Sequence, residues 1–547
     1  MNWNKLLNDQ RIRKSGTPKN DVRNPFDSDF GRIIFSPALR RMHDKTQVFP
    51  LTSDDNIHSR LTHSNEVMSI GYTFGLKLCS LDIIKEKTDK TEGELLRIFP
   101  VILKNVCLIH DIGNAPFGHF GETIVSNFFR KLLAEENKNF MQLDDHQKRD
   151  FINYDGNAQG LRVLTKLQIL NDAFGLNLTY ATLAAYLKYP NYEEINSNEE
   201  KKSNEKGDLP IDAFIEKSKH GVFFSEKAYF EKIITECGLD ESGRVVRHPL
   251  CYLMEAADSI AYLTMDMEDG FNIGLVDLPY LKNMFKDNKS WVGKKIVETC
   301  DDKFLNDNTK IVNIRIMLIE YLVNLAFTNF SDNLPLIEKG KYNVELIKDD
   351  EYKISKILQN ICNEKIFVSR EINFLETTGY SVFTGLLNYY ITFLFHEDKK
   401  YRGRALSLIS KSVIDCAIEE SFAEIASSKL QKELLVLNED VVKYNRHEEK
   451  VDSLKNEINE VKTKLKEVEV LLVKYKILDE KQLTNILSKD EKNDLAGIKA
   501  KLKELIKPNF NDLSVYYKFR VILDFISGMT DQYALNHFQK ISGQKIN

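Results

Sequence analysis

Apolar residues recur at spacings of three and four through most of this chain, and the two-residue alternation of a half-buried strand is scarce. Only 12 prolines and 25 glycines punctuate 547 residues, which predicts long helices joined by few tight turns and an all-α fold. The stretch 249–266 shows the pattern well. Leu250, Leu253, Met254, Ala257, Ala261 and Thr264 form one apolar stripe, while Glu255, Asp258, Tyr262 and Asp266 fall on a polar face. A single helix of this kind can bring a carboxylate ligand, an aromatic ring and a second carboxylate to one pocket.

Two other segments read differently. Residues 190–208, PNYEEINSNEEKKSNEKGD, are charged and aperiodic and predict an exposed loop. In 448–507, Val451, Leu454, Ile458, Val461, Leu465, Val468, Leu472 and Tyr475 alternate spacings of three and four, with Lys and Glu between them. Leu495, Ile498, Leu502 and Leu505 resume that rhythm after a polar connection at 488–493. The pattern predicts a charged, coiled-coil-like antiparallel hairpin closed by Pro508. The expected organisation is therefore a main domain over 1–430, an inserted hairpin over 431–510, and a segment 511–547 that packs back on the main domain. The uncharged run from Thr377 to Phe395 contains Thr, Ser, Gly and Asn and predicts a buried core helix, with no membrane span.

Composition narrows the function classes. With 42% hydrophobic residues the chain can bury a large core, and 76 basic against 81 acidic residues give a formal charge of −5. That near-balance provides no whole-molecule argument for nucleic-acid or membrane binding. Locally, Arg11, Arg13, Lys14, Lys19, Arg23, Arg32, Arg40, Arg41 and Lys45 make the first 45 residues basic, which suits either a phosphate-binding surface or a solvated arm. Seven scattered cysteines with no C-x-x-C spacing, and a start without a long apolar run, lead to the expectation of a cytoplasmic protein with reduced thiols.

The chemistry concentrates in VCLIHDIGNAPFGHFGE (106–122), where His110 adjoins Asp111 and His119 precedes Glu122 by three residues. With His63 in RLTHSNEV and Asp258 in MEAADSIAY, the chain can offer two imidazoles and two carboxylates from three helices. Mixed nitrogen and oxygen donors of this kind hold Mn²⁺, Mg²⁺, Fe²⁺, Co²⁺ or Zn²⁺ and leave positions for water and substrate. A carboxylate next to His119 would orient the ring and raise its pKa, which suits a general acid or base.

Seven segments, in order, resemble the HD-superfamily deoxynucleoside triphosphate triphosphohydrolases, in particular the bacterial dGTPase branch. They are GRIIFSPALRRMHDKTQVFPL (31–51), SRLTHSNEV (59–67), CLIHDIGNAPFGHFGE (107–122), YDGNAQGLRVL (154–164), KHGVFFSEKAY (219–229), YLMEAADSIAYLTMDMED (252–269) and DFISGMTDQYAL (524–535). The resemblance implies an HD-domain helical core with additional helices. It implies His63, His110, Asp111 and Asp258 as metal ligands, and His119 with Glu122 as the catalytic pair. It further implies Arg60 and Lys219 as triphosphate contacts, Gln47 as the reader of the sugar 3′-hydroxyl, and Val48 as a neighbour of the base. Tyr262 would pack where a ribose 2′-hydroxyl would sit, and Asp266 would hold the 3′-hydroxyl. Asn114, in the substrate site, matches the bacterial branch, where a human relative has histidine.

The implied reaction is attack of water on the α-phosphorus of a dNTP, dGTP favoured, releasing a deoxynucleoside and inorganic triphosphate. The resemblance also implies a homo-oligomer, a hexamer as in the bacterial branch, with a nucleotide activator and single-stranded DNA as further partners. Two other readings stand beside it: a different HD phosphohydrolase, and a nucleic-acid-binding scaffold built on an HD fold.

Overall fold

Helices begin where the chain supplies caps. Ser59 and Thr62 form a capping box at the start of Arg60–Leu78, Thr91 and Glu94 do the same for Glu92–Ile109, and Asn24 and Asp27 for Pro25–Ile34. In the computed structural model, residues 1–13, 21–49, 51, 57–168, 175–195, 215–241, 243–443, 448–475 and 502–545 are described. Among them the fold is all-α, and the one sheet is a two-residue ladder of Asp240–Glu241 with Arg244–Val245. Two compact units result: Met1–Tyr390 with Ile526–Asn547, and Ile391–Phe525.

The first unit contains the helices α1 (Pro25–Ile34), α2 (Arg60–Leu78), α3 (Glu92–Ile109), α4 (Gly118–Ala134), α5 (Pro249–Asn272), α6 (Asp307–Asp332) and most of α7 (Arg370–Leu394). α2 and α3 pack along their lengths. Two glycines make this approach close: a β-carbon on Gly71 would lie 2.3 Å from Cys107 Sγ, and one on Gly75 would lie 2.4 Å from Pro100 Cα. The close crossing brings His63, near the start of α2, against His110, at the end of α3, with ring centroids 5.2 Å apart and edge-to-face.

Helix α5 packs on α2, α3 and α6 and is buried on nearly every side. The amphipathic reading of 249–266 thus understates its burial, since Glu255 and Asp266 are as enclosed as the apolar stripe. On the same face Asp258 and Tyr262 are half-buried. α6 is long and apolar enough to cross a membrane by length and composition. It packs against α5 and buries Ile311, Ile314, Leu318 and Leu322, while 33% of its most apolar stretch is buried. The Thr377–Phe395 run lies mainly in α7, where Val382, Phe383, Leu386, Leu387 and Tyr390 are buried.

In the second unit, α8 (Lys411–Lys443) and α9 (Glu448–Tyr475) pack on one another. Leu454, Ile458, Val461 and Val468 supply the buried stripe of α9, as their spacing predicts. Its partner among the described residues is the helix before it. Leu495 and Ile498, the expected return of the hairpin, lie outside the described residues, as do Asn196–Asn204 and the rest of the predicted loop to residue 208. All seven cysteines are free, and all but Cys300 are buried.

Candidate active site

The four predicted ligands converge. His63 Nε2 lies 3.1 Å from Asp258 Oδ1, and His110 Nε2 lies 3.4 Å from the same oxygen and 3.5 Å from Asp111 Oδ2. One donor atom each from His63, His110 and Asp111 can be chosen so that all lie within 4.8 Å of one another. His110 Nδ1 donates to the Cys107 carbonyl at 2.7 Å, which turns Nε2 toward the carboxylates. That nitrogen is buried and has no hydrogen-bond partner. Burial opposes a charged His110, yet Asp111 and Asp258 prevail and raise its pKa to about 9. Burial likewise opposes charge on Asp111, but Arg60 and His110 hold its carboxyl well below the usual range. Two enclosed carboxylates facing two imidazole nitrogens attract positive charge, and the set fits a divalent ion.

Neighbouring groups hold these donors in place. Asn114 Nδ2 donates to Asp111 Oδ1 at 2.8 Å, and the Arg60 guanidinium pairs with Asp111 Oδ2. Asn114, predicted as a substrate contact, thus holds the Asp111 carboxylate. Arg60 also comes close to the next turn, where a β-carbon on Gly118 would lie 2.6 Å from its Nη2. Gly118 has φ +60° and follows Phe117, also left-handed at φ 60°. A left-handed Phe costs about 1–2 kcal/mol, a strain retained at the residue that starts the His119 helix.

His119 Nδ1 meets Glu122 Oε2 at 2.9 Å. The imidazole is 74% exposed while Glu122 is 8% exposed, so the carboxylate anchors a ring that projects outward. The Glu122 charge and hydrogen bond raise the His119 pKa against opposing burial and the nearby Lys219 and Arg60 cations. Glu122 Oε1 is buried without a hydrogen-bond partner. Lys219 Nζ lies 3.0 Å from Asp155 Oδ2 and is 40% exposed.

The predicted sugar contacts share one property. Gln47 Oε1 and Asp266 Oδ1 are both buried and lack hydrogen-bond partners. Burial, with Asp269 beside it, pushes the Asp266 carboxyl well above the carboxylate range. Asp269 accepts from His58 Nδ1 at 2.9 Å. Tyr262 donates its hydroxyl to Gln359 Oε1 at 2.6 Å, which fixes the ring, and Val48 is half-buried.

Five residues around the site were not singled out from sequence as site residues. Lys188 Nζ lies 3.5 Å from Glu255 Oε1 and 3.9 Å from Asp258 Oδ2, and Glu255 is held by Arg247 at 2.9 Å. Lys45, read only as part of a basic cluster, is buried and donates to the Asn114 and Ser527 carbonyls. Asp155 and Asp531 sit inside segments that carry the resemblance, but their types and spacing had no distinguishing signal. The basic N-terminal stretch is partly internal: Arg11 also pairs with buried Asp29.

The phosphohydrolase-associated domain family matches residues 483–540. A deoxyguanosinetriphosphate triphosphohydrolase-like protein of Listeria innocua is 34% identical over 471 residues, covering 80% of this chain and 96% of its own. A protein of the same description from Pseudomonas aeruginosa is 33% identical over 76% of this chain and 90% of its own. The deoxyguanosinetriphosphate triphosphohydrolase of an Enterobacter species is 27% identical over 99% of this chain and 97% of its own.

Proposed function

This chain belongs to the family of deoxyguanosinetriphosphate triphosphohydrolase-like proteins, and on that premise we propose that it hydrolyses deoxynucleoside triphosphates, dGTP foremost, to deoxynucleoside and inorganic triphosphate. The observation that carries the reading is the convergence of His63, His110, Asp111 and Asp258 around a buried imidazole nitrogen with no hydrogen-bond partner. These residues would hold Mn²⁺ or Mg²⁺. The bound ion supplies Lewis-acid polarisation of phosphate and water.

The remaining roles follow from the chain itself. Water forms the new bond to the α-phosphorus and the bond to the 5′-oxygen breaks, so the leaving deoxynucleoside needs a proton. His119, its Nδ1 held by Glu122 and its pKa raised, keeps a proton at Nε2 for that oxygen. Arg60, Lys188 and Lys219 offset the triphosphate charge, and fixed cations in an enclosed site stabilise charge that grows in the transition state. Gln47 Oε1 and Asp266 accept or share hydrogen bonds with the 3′-hydroxyl. The Tyr262 ring excludes a 2′-hydroxyl, and an unpaired buried hydroxyl costs about 1–3 kcal/mol.

The test is product analysis. The purified chain with Mn²⁺ or Mg²⁺ is given each dNTP singly and in pairs, and the products are separated by ion exchange. Triphosphate with deoxynucleoside is the expected result, dGTP reacting fastest. Orthophosphate or pyrophosphate would replace this reading with another phosphohydrolase, and absence of turnover would refute it.

A further inference from the structure

We infer that Asp531 is a positioning residue for this reaction: one buried carboxylate ties the segment that carries Gln47 to the turn that carries His119. The inference rests on the triphosphohydrolase reading above.

Asp531 opens the C-terminal helix Asp531–Ile541 and is 2% exposed. Its Oδ1 accepts the Phe117 amide at 2.9 Å. Its Oδ2 accepts the Thr46 amide at 3.0 Å and the Thr46 hydroxyl at 2.5 Å. The two oxygens thus face two walls of the site, and the first turn of a helix is where a buried negative charge is best tolerated. Both oxygens are occupied by backbone and hydroxyl donors, so Asp531 acts through other residues.

Each wall is poised on the bond it receives. Phe117 holds left-handed backbone two residues before His119, and its amide is one of the donors a helix start leaves unpaired. Its ring packs edge-on to Phe383, and a β-carbon on Gly379 would crowd it at 3.0 Å. Thr46 directly precedes Gln47 and is bridged to Ser59, the cap of α2, while the Lys45 carbonyl accepts the Arg60 amide at 2.8 Å. Lys45 Nζ adds a parallel tie, from the Asn114 carbonyl to the Ser527 carbonyl four residues before Asp531. The C-terminal segment therefore grips the sugar-reading segment, the Asp111–Asn114 turn and the His119 turn together. A misplacement of about 1 Å at such a site costs roughly 10²-fold in rate.

Asp531→Asn in the full chain is the test, since an amide nitrogen would face amide donors on one wall. The expected result is a fall of about 10²-fold in kcat/KM for dGTP, with helical circular dichroism unchanged and a smaller preference for dGTP over 2′,3′-dideoxy-GTP. Amide exchange should quicken in peptides covering 42–49 and 113–121. A lower melting temperature with kcat, KM, sugar preference and local exchange all at wild-type values would overturn the inference. Should Asp531→Asn fail to fold, Thr46→Val removes one bond and is read the same way, with a few-fold effect. If the wild-type chain hydrolyses no dNTP, the functional reading fails separately. Exchange then decides the tie alone: faster exchange in both peptides upholds it, and unchanged protection refutes it.

Discussion

The candidate ligand cluster and the predicted sugar side each take a carboxylate from α5, Asp258 and Asp266, yet these two carboxylates are met in opposite ways. At the cluster the carboxylates have partners: Asp111 meets Arg60 and Asn114, and Asp258 meets His63, His110 and Lys188. Two turns along the helix from Asp258, Asp266 Oδ1 is enclosed with no partner, and so is Gln47 Oε1 on another element. A buried oxygen left unpaired costs about 1–3 kcal/mol until something donates to it. On the proposed reading, the cluster would hold charge during chemistry, and the Asp266–Gln47 side would reward one hydroxyl and refuse another. Rate and specificity should separate when the two are disturbed.

The largest effect is expected from Asp111→Ala. Losing a ligand forfeits several kcal/mol of stabilisation, about 10³-fold or more in kcat, while helical circular dichroism persists. Metal titration by calorimetry should show binding weakened in parallel, and retained turnover would sink the ligand assignment. His119→Ala should lower kcat by about 10²–10⁴-fold with metal affinity intact. If metal binding fell equally, the separation of the His119–Glu122 pair from the cluster would be wrong.

On the sugar side, Tyr262→Ala should cut the dGTP-to-GTP ratio of kcat/KM by about 10–10²-fold, mainly by admitting GTP. An unchanged ratio in competition assays would remove the steric gate. The smallest effect concerns His58, whose ring pairs with Asp269 beside Asp266. Burial opposes its charge, but hydrogen bonds to Asp269 and Glu66 raise its pKa from 6.5 to about 10. A pKa raised in the folded state means this pair stabilises fully below pH 6.5 and is lost as pH rises through 10. The melting-temperature gap between wild type and His58→Gln should therefore narrow from pH 6 to pH 10, and a constant gap would rule the ion pair out as its source.

Much of the ligand cluster was legible along the chain. His110 and Asp111 announce themselves because an apolar helical run ends in two donors, and Asp258 because helical spacing sets it among polar residues. The His119–Glu122 pair needs only one helical turn to form, and the structure brings the two together as read. The polar face of α5 was legible as a pattern but not as an interior surface, since periodicity cannot tell water from a site. The helical arm was legible as a repeat while its partner was not. An apolar stripe declares that it will be covered without saying by what, and α8 covers it.

Local periodicity and short-range pairing thus carried the helical class, the candidate ligand residues and the His119–Glu122 pairing, because those forces act over one or two turns. The Gly71 and Gly75 approach, the buried Lys45, the Lys188–Glu255–Arg247 chain and the Asp531 tie were decided by tertiary structure. Asp531 and Phe117 are 414 positions apart. A hydrogen bond at that separation depends on where two elements come to rest, and no spacing along the chain encodes it.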